Sequence, residues 1–364
     1  MTSERLPKAT LWPISYKCHA IVICDVSKQE MSNGGKTQNI PLVSIVTPTF
    51  NQAAFLRETI ESVLSQDYPH LEYQIIDDGS TDSTPKILED YAGRANIERH
   101  QNCGQTATIN KGWERSTGEI LFWLNSDDTL LPGGVRKAVD YLAEHPQIDI
   151  VFGDTLFTSE AGMALRRSKN RTGFEYQKFV VQCENPIPQP SAFIRRRVIE
   201  DIGLLDPSYY YFMDWDFWLR AGLRHQIAYF PELLSTYRLH RESKTVAQMA
   251  KAAPELEYMY SKFFAREDIP ANIRGQQRLA LANMCFTSGS YYLLGSDKRM
   301  AARMGFKALR TYPATLYRPK LTHKFIYCLL GGQLLYQRAR LFYNNTRKIL
   351  GNGLDSSLEE PTAD

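Results

Sequence analysis

The chain has 364 residues, 43% of them hydrophobic, and 43 Lys and Arg against 40 Asp and Glu give a net charge of +3. That length accommodates one large domain and a second, smaller unit, and the composition fits a globular core, not a disordered or fibrous chain. No run approaches the roughly 18 apolar residues of a membrane span, and no C-x-x-C pair accompanies the six cysteines, so a multispan membrane protein and a structural zinc module are both disfavoured.

Residues 1–40 read as a tail. The stretch "LWPISYKCHAIVICDV" is interrupted by Pro13, Lys17 and His19, so it lacks the apolar core of a secretory leader, and the expected placement is cytoplasmic. The cysteines, at 18, 24, 103, 183, 285 and 328, are then thiols of a reducing compartment. From Pro41 strand and helix signals alternate, which predicts an α/β fold with a largely parallel sheet. "VSIVT" (43–47) is a buried strand, and Leu56, Ile60, Val63 and Leu64 share one face of the helix that follows. "YQIID" (73–77) is the second strand; after "DGSTDSTP" a helix begins with Thr84 as N-cap and Pro85 at its first position. A helix from Gln105 to Ser116 stops before Gly118, and the strand 120–124 runs into Asn125, Ser126, Asp127 and Asp128.

Adjacent carboxylates at the end of a buried strand repel one another and lose hydration unless a metal ion, a Lys or Arg, or a helix N-terminus lies beside them. "PTFN", "DDGSTD" and "NSDD" fall at three successive strand ends, and open α/β sheets bind ligands outside the carboxyl ends of their strands. One such turn is ordinarily only a turn, because Asn and Asp close turns with their own side chains. Three in succession point to a shared pocket.

The segments "VSIVTPTFNQAAFLRETIESVLSQDYPHLEYQIIDDGSTDST", "GQTATINKGWERSTGEILFWLNSDD" and "YYYFMDWDFWLR" resemble, in order and spacing, the motifs of the family-two inverting nucleotide-sugar glycosyltransferases, over residues 41–245. The resemblance implies a GT-A fold, a Rossmann-like, mostly parallel central sheet with flanking helices, and a nucleoside-diphosphate sugar donor. It further implies a divalent metal, Mn or Mg, because charge grows on the departing diphosphate. By resemblance, Thr47, Pro48, Phe50 and Asp78 surround the nucleobase, with Asn51 and Gly79 shaping the pocket. Asn51 has a second reading, as a cap on the helix after it. Asn110 and Lys111 fall near the diphosphate, with Asn110 the stronger candidate. The family's Asp-any-Asp motif corresponds to Asn125, Ser126 and Asp127. Asp127 is then the leading metal ligand, Asp128 either helps or bonds the following turn, and His240 is a metal or diphosphate contact.

The family's general base corresponds to Asp214, with Trp215 beside it as an apolar wall on the acceptor side. Gln189 and Ser191 are candidates for acceptor hydroxyls. Asp216 has the spacing to pair with Arg220 across one helical turn, and Arg195 to Arg197 read as caps of an exposed helix. Two positions depart from the usual pattern. Asn125 stands where the family carries an acid, which removes a charge from the metal site, and Met213 stands where many members carry Glu.

Past Thr245 the pattern becomes helical. Between Lys298 and Leu350 there are twelve Lys and Arg and no Asp or Glu, which fits either a solvated helix face or contact with an anionic membrane surface. No nucleic-acid reading motif accompanies that charge. The organisation expected is a tail (1–40), the GT-A domain (41–245), a basic helical region (246–350) and an acidic flexible tail (351–364). The function implied is an inverting, metal-dependent transferase that moves a sugar to a glycan or lipid-linked acceptor in cell-surface polysaccharide or lipopolysaccharide synthesis. The alternative is a silent sugar-nucleotide or glycan-binding module. No Gln-x-x-Arg-Trp motif marks a processive synthase, and no G-x-G-x-x-G follows the first strand, which argues against a nicotinamide dehydrogenase.

Overall fold

The computed structural model describes residues 40–168, 173–240 and 249–330. The expectations for the N-terminal tail, for the basic segment past Leu330 and for the C-terminal tail lie outside these residues.

Four parallel strands form one half of a mixed sheet: β3 (Asn96–Arg99), β2 (Leu71–Asp77), β1 (Val43–Thr49) and β4 (Ile120–Trp123), in that spatial order. The other half breaks the parallel pattern. Strand β8 (Ala192–Arg195) runs antiparallel between β4 and β6 (Ile150–Ser159), β9 (Ile227–Leu239) runs parallel to β6, and β5 (Thr129–Leu130) and β7 (Ala164–Arg167) close the edges. The protein is therefore α/β with a mostly parallel first half, as the alternation of signals predicts, and a mixed second half that local periodicity does not reveal.

Strand β4 is apolar throughout because both of its faces are covered. Ile120 and Phe122 enter a core with Val43, Ile45 and the buried faces of helices α1 (Leu56–Leu64) and α4 (Gly134–Glu144). Leu121 and Trp123 point the other way, into a core with Val46, Trp113 of helix α3 (Gln105–Arg115) and Trp218 of α7 (Met213–Ala221). Each fully buried side chain of this size contributes about 1.5 to 3 kcal/mol. Between them lie the short helices α2 (Thr84–Glu89), α5 (Tyr176–Gln182) and α6 (Arg196–Ile202). Ser83, not Thr84, occupies the N-cap of α2, and the Asp82 carboxylate accepts from the Thr84 N–H at 2.9 Å.

The helices after residue 248 are α8 (Met249–Phe264), α9 (Ala271–Arg274), α10 (Gln277–Leu294), α11 (Lys298–Thr311) and α12 (Pro319–Leu330). In α8, Ala252, Leu256, Met259, Tyr260 and Phe263 repeat at helical spacing, and they join the core that contains Trp215 and Trp218. The helical region thus shares its apolar interior with the back of the sheet. Among the described residues no helix is long and apolar enough to cross a membrane, and Cys103, Cys183, Cys285 and Cys328 are free thiols.

Candidate active site

The carboxyl ends of β1, β2 and β4 open into one cavity of about 930 Å³. Nine of the residues picked out from the sequence line it: Pro48, Phe50, Asp78, Asn125, Ser126, Asp127, Gln189, Asp214 and His240. They come from six separate segments of chain.

Phe50 stands at the rim, 44% exposed, where a ring with one face in water is available for stacking. Asp78 is buried at the end of β2. Its two carboxylate oxygens accept from the main-chain N–H groups of Cys103 (2.7 Å) and Gly104 (2.9 Å), so it bends the segment before α3 over the cavity and keeps lone pairs for a further donor. Gly79 follows with φ +82°, and a Cβ there would lie 2.9 Å from the Asn102 nitrogen, so a glycine is required for this close approach.

At the end of β4 the two adjacent carboxylates part. Asp127 keeps its side chain in the cavity, 22% exposed, with Oδ2 3.0 Å from His240 Nε2. The His240 ring packs on Phe55 at 4.9 Å. Asp128 turns inward and accepts the Arg238 main-chain N–H at 2.9 Å. Burial, reinforced by the neighbouring Asp127 charge, pushes Asp128 well above the usual carboxylate range, against the pull of that N–H. The Arg238 charge acts on Asp128 from nearby, while its Nε donates to the Asp127 carbonyl at 3.0 Å and its guanidinium pairs with Glu58. Asp128 does not line the cavity, which removes it from the set of groups facing a ligand and gives it the turn-holding role instead.

Asn125, the amide at an acid's usual position, is locked between two other amides. Gln105 Nε2 donates to Asn125 Oδ1 at 2.7 Å, and Asn125 Nδ2 donates to Gln189 Oε1 at 3.0 Å, while Gln189 Nε2 donates to the Trp123 carbonyl at 2.8 Å. The bond to Trp123 fixes which end of the Gln189 amide faces Asn125. A carboxylate at position 125 would set oxygen against oxygen, so the substitution is matched by its surroundings. Gln189, expected on the acceptor side, lines the cavity and also supports the amide at position 125.

Asp214 lies in the first turn of α7. Burial raises its carboxyl from the ordinary 3.8 to about 6, against the opposing N–H groups of Trp215 and Asp214 itself. The loop that leads into α7 is clamped by Glu255 of α8, whose carboxylate accepts the main-chain N–H groups of Tyr210 (2.9 Å), Tyr211 (2.7 Å) and Phe212 (2.8 Å). The helical region thus fixes the position of Asp214, a link that no local pattern at either residue discloses. Asp216 pairs with Arg220 at 2.8 Å, as the spacing implies.

The remaining candidates do not line the cavity. Thr47 is buried against the Tyr73 hydroxyl at 3.1 Å. Asn51, at φ 53°, accepts the Thr81 N–H at 2.8 Å and so stitches the "DGSTD" turn. Asn110 exchanges two hydrogen bonds with the Leu205 main chain, at 2.8 and 3.1 Å, and Lys111 is half-buried beside it on α3. Ser191 donates to the Gly153 carbonyl at 2.8 Å. Trp215 is a core residue stacked on Phe179. The three arginines stand at the start of α6, with Arg195 in its N-cap position, and their side chains act as structural ties: Arg195 and Arg196 bind carbonyls of the segments beside β8, and Arg197 pairs with Asp149. Asn110, Ser191, Arg195 and Arg196 thereby satisfy main-chain groups that burial would otherwise leave unpaired. Sequence reading missed Gln105, Arg238, Glu255 and the aromatic wall formed by Phe157 and Tyr237. Gln105 could have been noticed as the first side chain after Gly104; the others carry no local signal.

A half-parallel sheet that empties three strand ends into one cavity, with an acid in the first turn of a flanking helix, is the arrangement of the GT-A fold. Residues 44–203 match the family described as Glycosyl transferase family 2. An uncharacterized glycosyltransferase of Rickettsia typhi is 28% identical over 232 residues, which cover 62% of this chain and 72% of that protein. A PGL/p-HBAD biosynthesis glycosyltransferase of Mycobacterium bovis is 29% identical over 186 residues, 50% of this chain and 70% of the relative. Among solved structures, S. aureus TarS 1-349 in complex with UDP-GlcNAc superposes with a TM-score of 0.60 at 16% identity, covering 84% of this chain and 92% of the other. Mannosyltransferase PcManGT from Pyrobaculum calidifontis, in complex with GDP-Man and Mn2+, gives 0.53 at 17% identity, over 80% and 87%. At these identities the two structures establish the fold.

Proposed function

We propose that the protein transfers a sugar from a nucleoside-diphosphate donor to a saccharide or lipid-linked acceptor with inversion at the anomeric carbon, in the synthesis of a cell-surface polysaccharide or lipopolysaccharide. The observation that carries this reading is the meeting of Phe50, Asp78, Asp127, His240 and Asp214 in one cavity. Phe50 and Asp78 stand where a nucleobase would stack and donate. Asp214, its affinity for a proton raised by burial, is suited to take the proton of the attacking acceptor hydroxyl, and one such carboxylate suffices for a single displacement.

Asp127 and His240 fit a divalent cation. One carboxylate oxygen and one imidazole nitrogen converge to 3.0 Å at the cavity wall, and a hard cation ordinarily completes its shell with diphosphate oxygens and water. Such an ion would neutralise charge on the departing diphosphate. The solved neighbours support the donor class, since one holds UDP-GlcNAc and the other GDP-Man with Mn2+. Thermal unfolding with UDP, dTDP and GDP, each with and without Mn²⁺, tests this reading. A nucleotide at 100 times its dissociation constant should add about 2.7 kcal/mol, and a folded protein that responds to none of the three would leave a silent glycan-binding module as the better account.

The acceptor side includes a membrane surface. On α11, Arg299, Arg303, Phe306 and Arg310 share one exposed stripe opposite the buried Ala301, Met304 and Ala308, and the turn after it exposes Leu316 and Tyr317. Each arginine near anionic lipid is worth about 1 kcal/mol. Changing Arg299, Arg303 and Arg310 together to Gln should weaken binding to phosphatidylglycerol vesicles by roughly 100-fold, from about 3 kcal/mol in all. Sedimentation with vesicles checks it, and wild-type protein that binds RNA in preference to vesicles at moderate salt would refute it.

A further inference from the structure

The cavity extends well beyond the donor-side groups, along the outer strands of the sheet. There Arg166 of β7, Phe157 of β6 and Tyr237 of β9 are cross-strand partners in one rung, since Phe157 pairs with Arg166 on one side and with Tyr237 on the other. All three line the cavity. The Arg166 guanidinium lies over the Phe157 ring, 3.7 Å from its centre, and the Phe157 and Tyr237 rings meet at 5.3 Å. His240, beside Asp127, lies three residues beyond Tyr237 on the same strand path.

The charge on Arg166 is set apart from its neighbours' charges. Arg167 pairs with Asp154 at 2.7 Å, and Tyr229 donates to the same carboxylate at 3.0 Å, so that acid is already compensated. Arg197, Arg220 and Arg238 are likewise paired. Among the described residues no carboxylate lies within ion-pair distance of Arg166. A guanidinium stacked over a ring still has its N–H groups to donate, and arginine recognises carboxylate or phosphate through two parallel hydrogen bonds. The adjoining rings offer apolar faces of the kind that pack against sugar C–H groups.

We propose that this rung is an acceptor subsite for an anionic group, with Arg166 binding the charge and Phe157 and Tyr237 packing the ring or chain that carries it. The proposal rests on the transferase reading, because only the reaction makes the far lobe the acceptor's. Its chemistry has two sources, the carboxylate of an acidic sugar or the phosphate of a lipid-linked one.

Saturation-transfer NMR on the whole chain would use three probes: methyl glucuronide, methyl glucoside and geranyl diphosphate. The expected result is binding of at least one anionic probe, weakened tenfold or more in Arg166→Gln and weakened less in Phe157→Leu, with the neutral glucoside indifferent to Arg166. Glucuronide against diphosphate distinguishes the acidic sugar from the lipid phosphate. Equal binding of neutral and anionic probes, no binding by any, or an Arg166→Gln variant that binds as wild type does would overturn the subsite. Nucleotide-induced thermal stabilisation, measured in parallel, should be unchanged by Arg166→Gln. Its absence from wild type would instead refute the transferase reading, and its loss in Arg166→Gln alone would move Arg166 to the donor and overturn the acceptor assignment.

Discussion

Replacing Asp214 by Asn is expected to lower turnover by about 10² to 10⁴-fold, the range a positioned general base supplies, with nucleotide affinity unchanged. The pH profile gives a separate readout. The base works deprotonated and its carboxyl is raised to about 6, so wild-type kcat/KM should fall about tenfold per pH unit below 6 and level off above it. Any activity left in Asp214→Asn should lack that limb.

The same substitution should stabilise the fold. Because the carboxyl binds its proton more tightly in the folded than in the unfolded chain, the folded state holds more protons between 3.8 and about 6, and stability falls as pH rises through that window. Above it the ionised group costs up to about 3 kcal/mol, at about 1.4 kcal/mol per pH unit of displacement. Asp214→Asn should therefore raise the unfolding free energy at pH 7.5 and change it little near pH 4. An inactive and less stable variant at pH 7.5 would mean that Asp214 is a structural group whose charge the fold needs.

Asp127→Ala carries the second large effect. It should abolish the Mn²⁺-dependent share of nucleotide stabilisation, which approaches about 2.7 kcal/mol at 100 times the dissociation constant, because His240 then has no carboxylate beside it. Asp128 does not substitute, since it is turned into the Arg238 main chain. Asp128→Asn keeps an acceptor for that N–H and should leave the metal-dependent shift intact. Calorimetric unfolding with Mn²⁺ and with chelator checks both variants. Equal loss in the two would assign the ion to the pair of acids, and a shift that survives in Asp127→Ala would show that nucleotide binding here uses no ion at that carboxylate.

What was legible in the sequence follows from how local each signal is. The all-apolar run Ile120 to Leu124 announces a strand covered on both faces, and polar residues after each strand announce where the cavity opens, because in a half-parallel sheet those ends lie side by side. Asp78, Asp127 and Asp214 were recoverable for that reason and through the motifs around them. Asn51, Asn110 and Ser191 were not separable from ligand contacts, since an amide or hydroxyl in such a motif has the same local context whether it faces a ligand or ties down a neighbouring main chain. Only the folded partner distinguishes the two: Thr81 for Asn51, Leu205 for Asn110 and Gly153 for Ser191.

The sequence by itself determined the alternation that builds the sheet, the two-faced burial of its central strands and the family likeness of residues 44–203. Only the tertiary structure decided which of two adjacent aspartates faces the cavity, how an amide is accommodated at position 125, and that Glu255 in the helical region holds the loop before Asp214. Those outcomes depend on hydrogen bonds between residues distant in the chain: 110 residues separate Asp128 from Arg238, and 64 separate Asn125 from Gln189. Which polar groups meet at such separations is set by the packing of whole elements, so no local pattern records it.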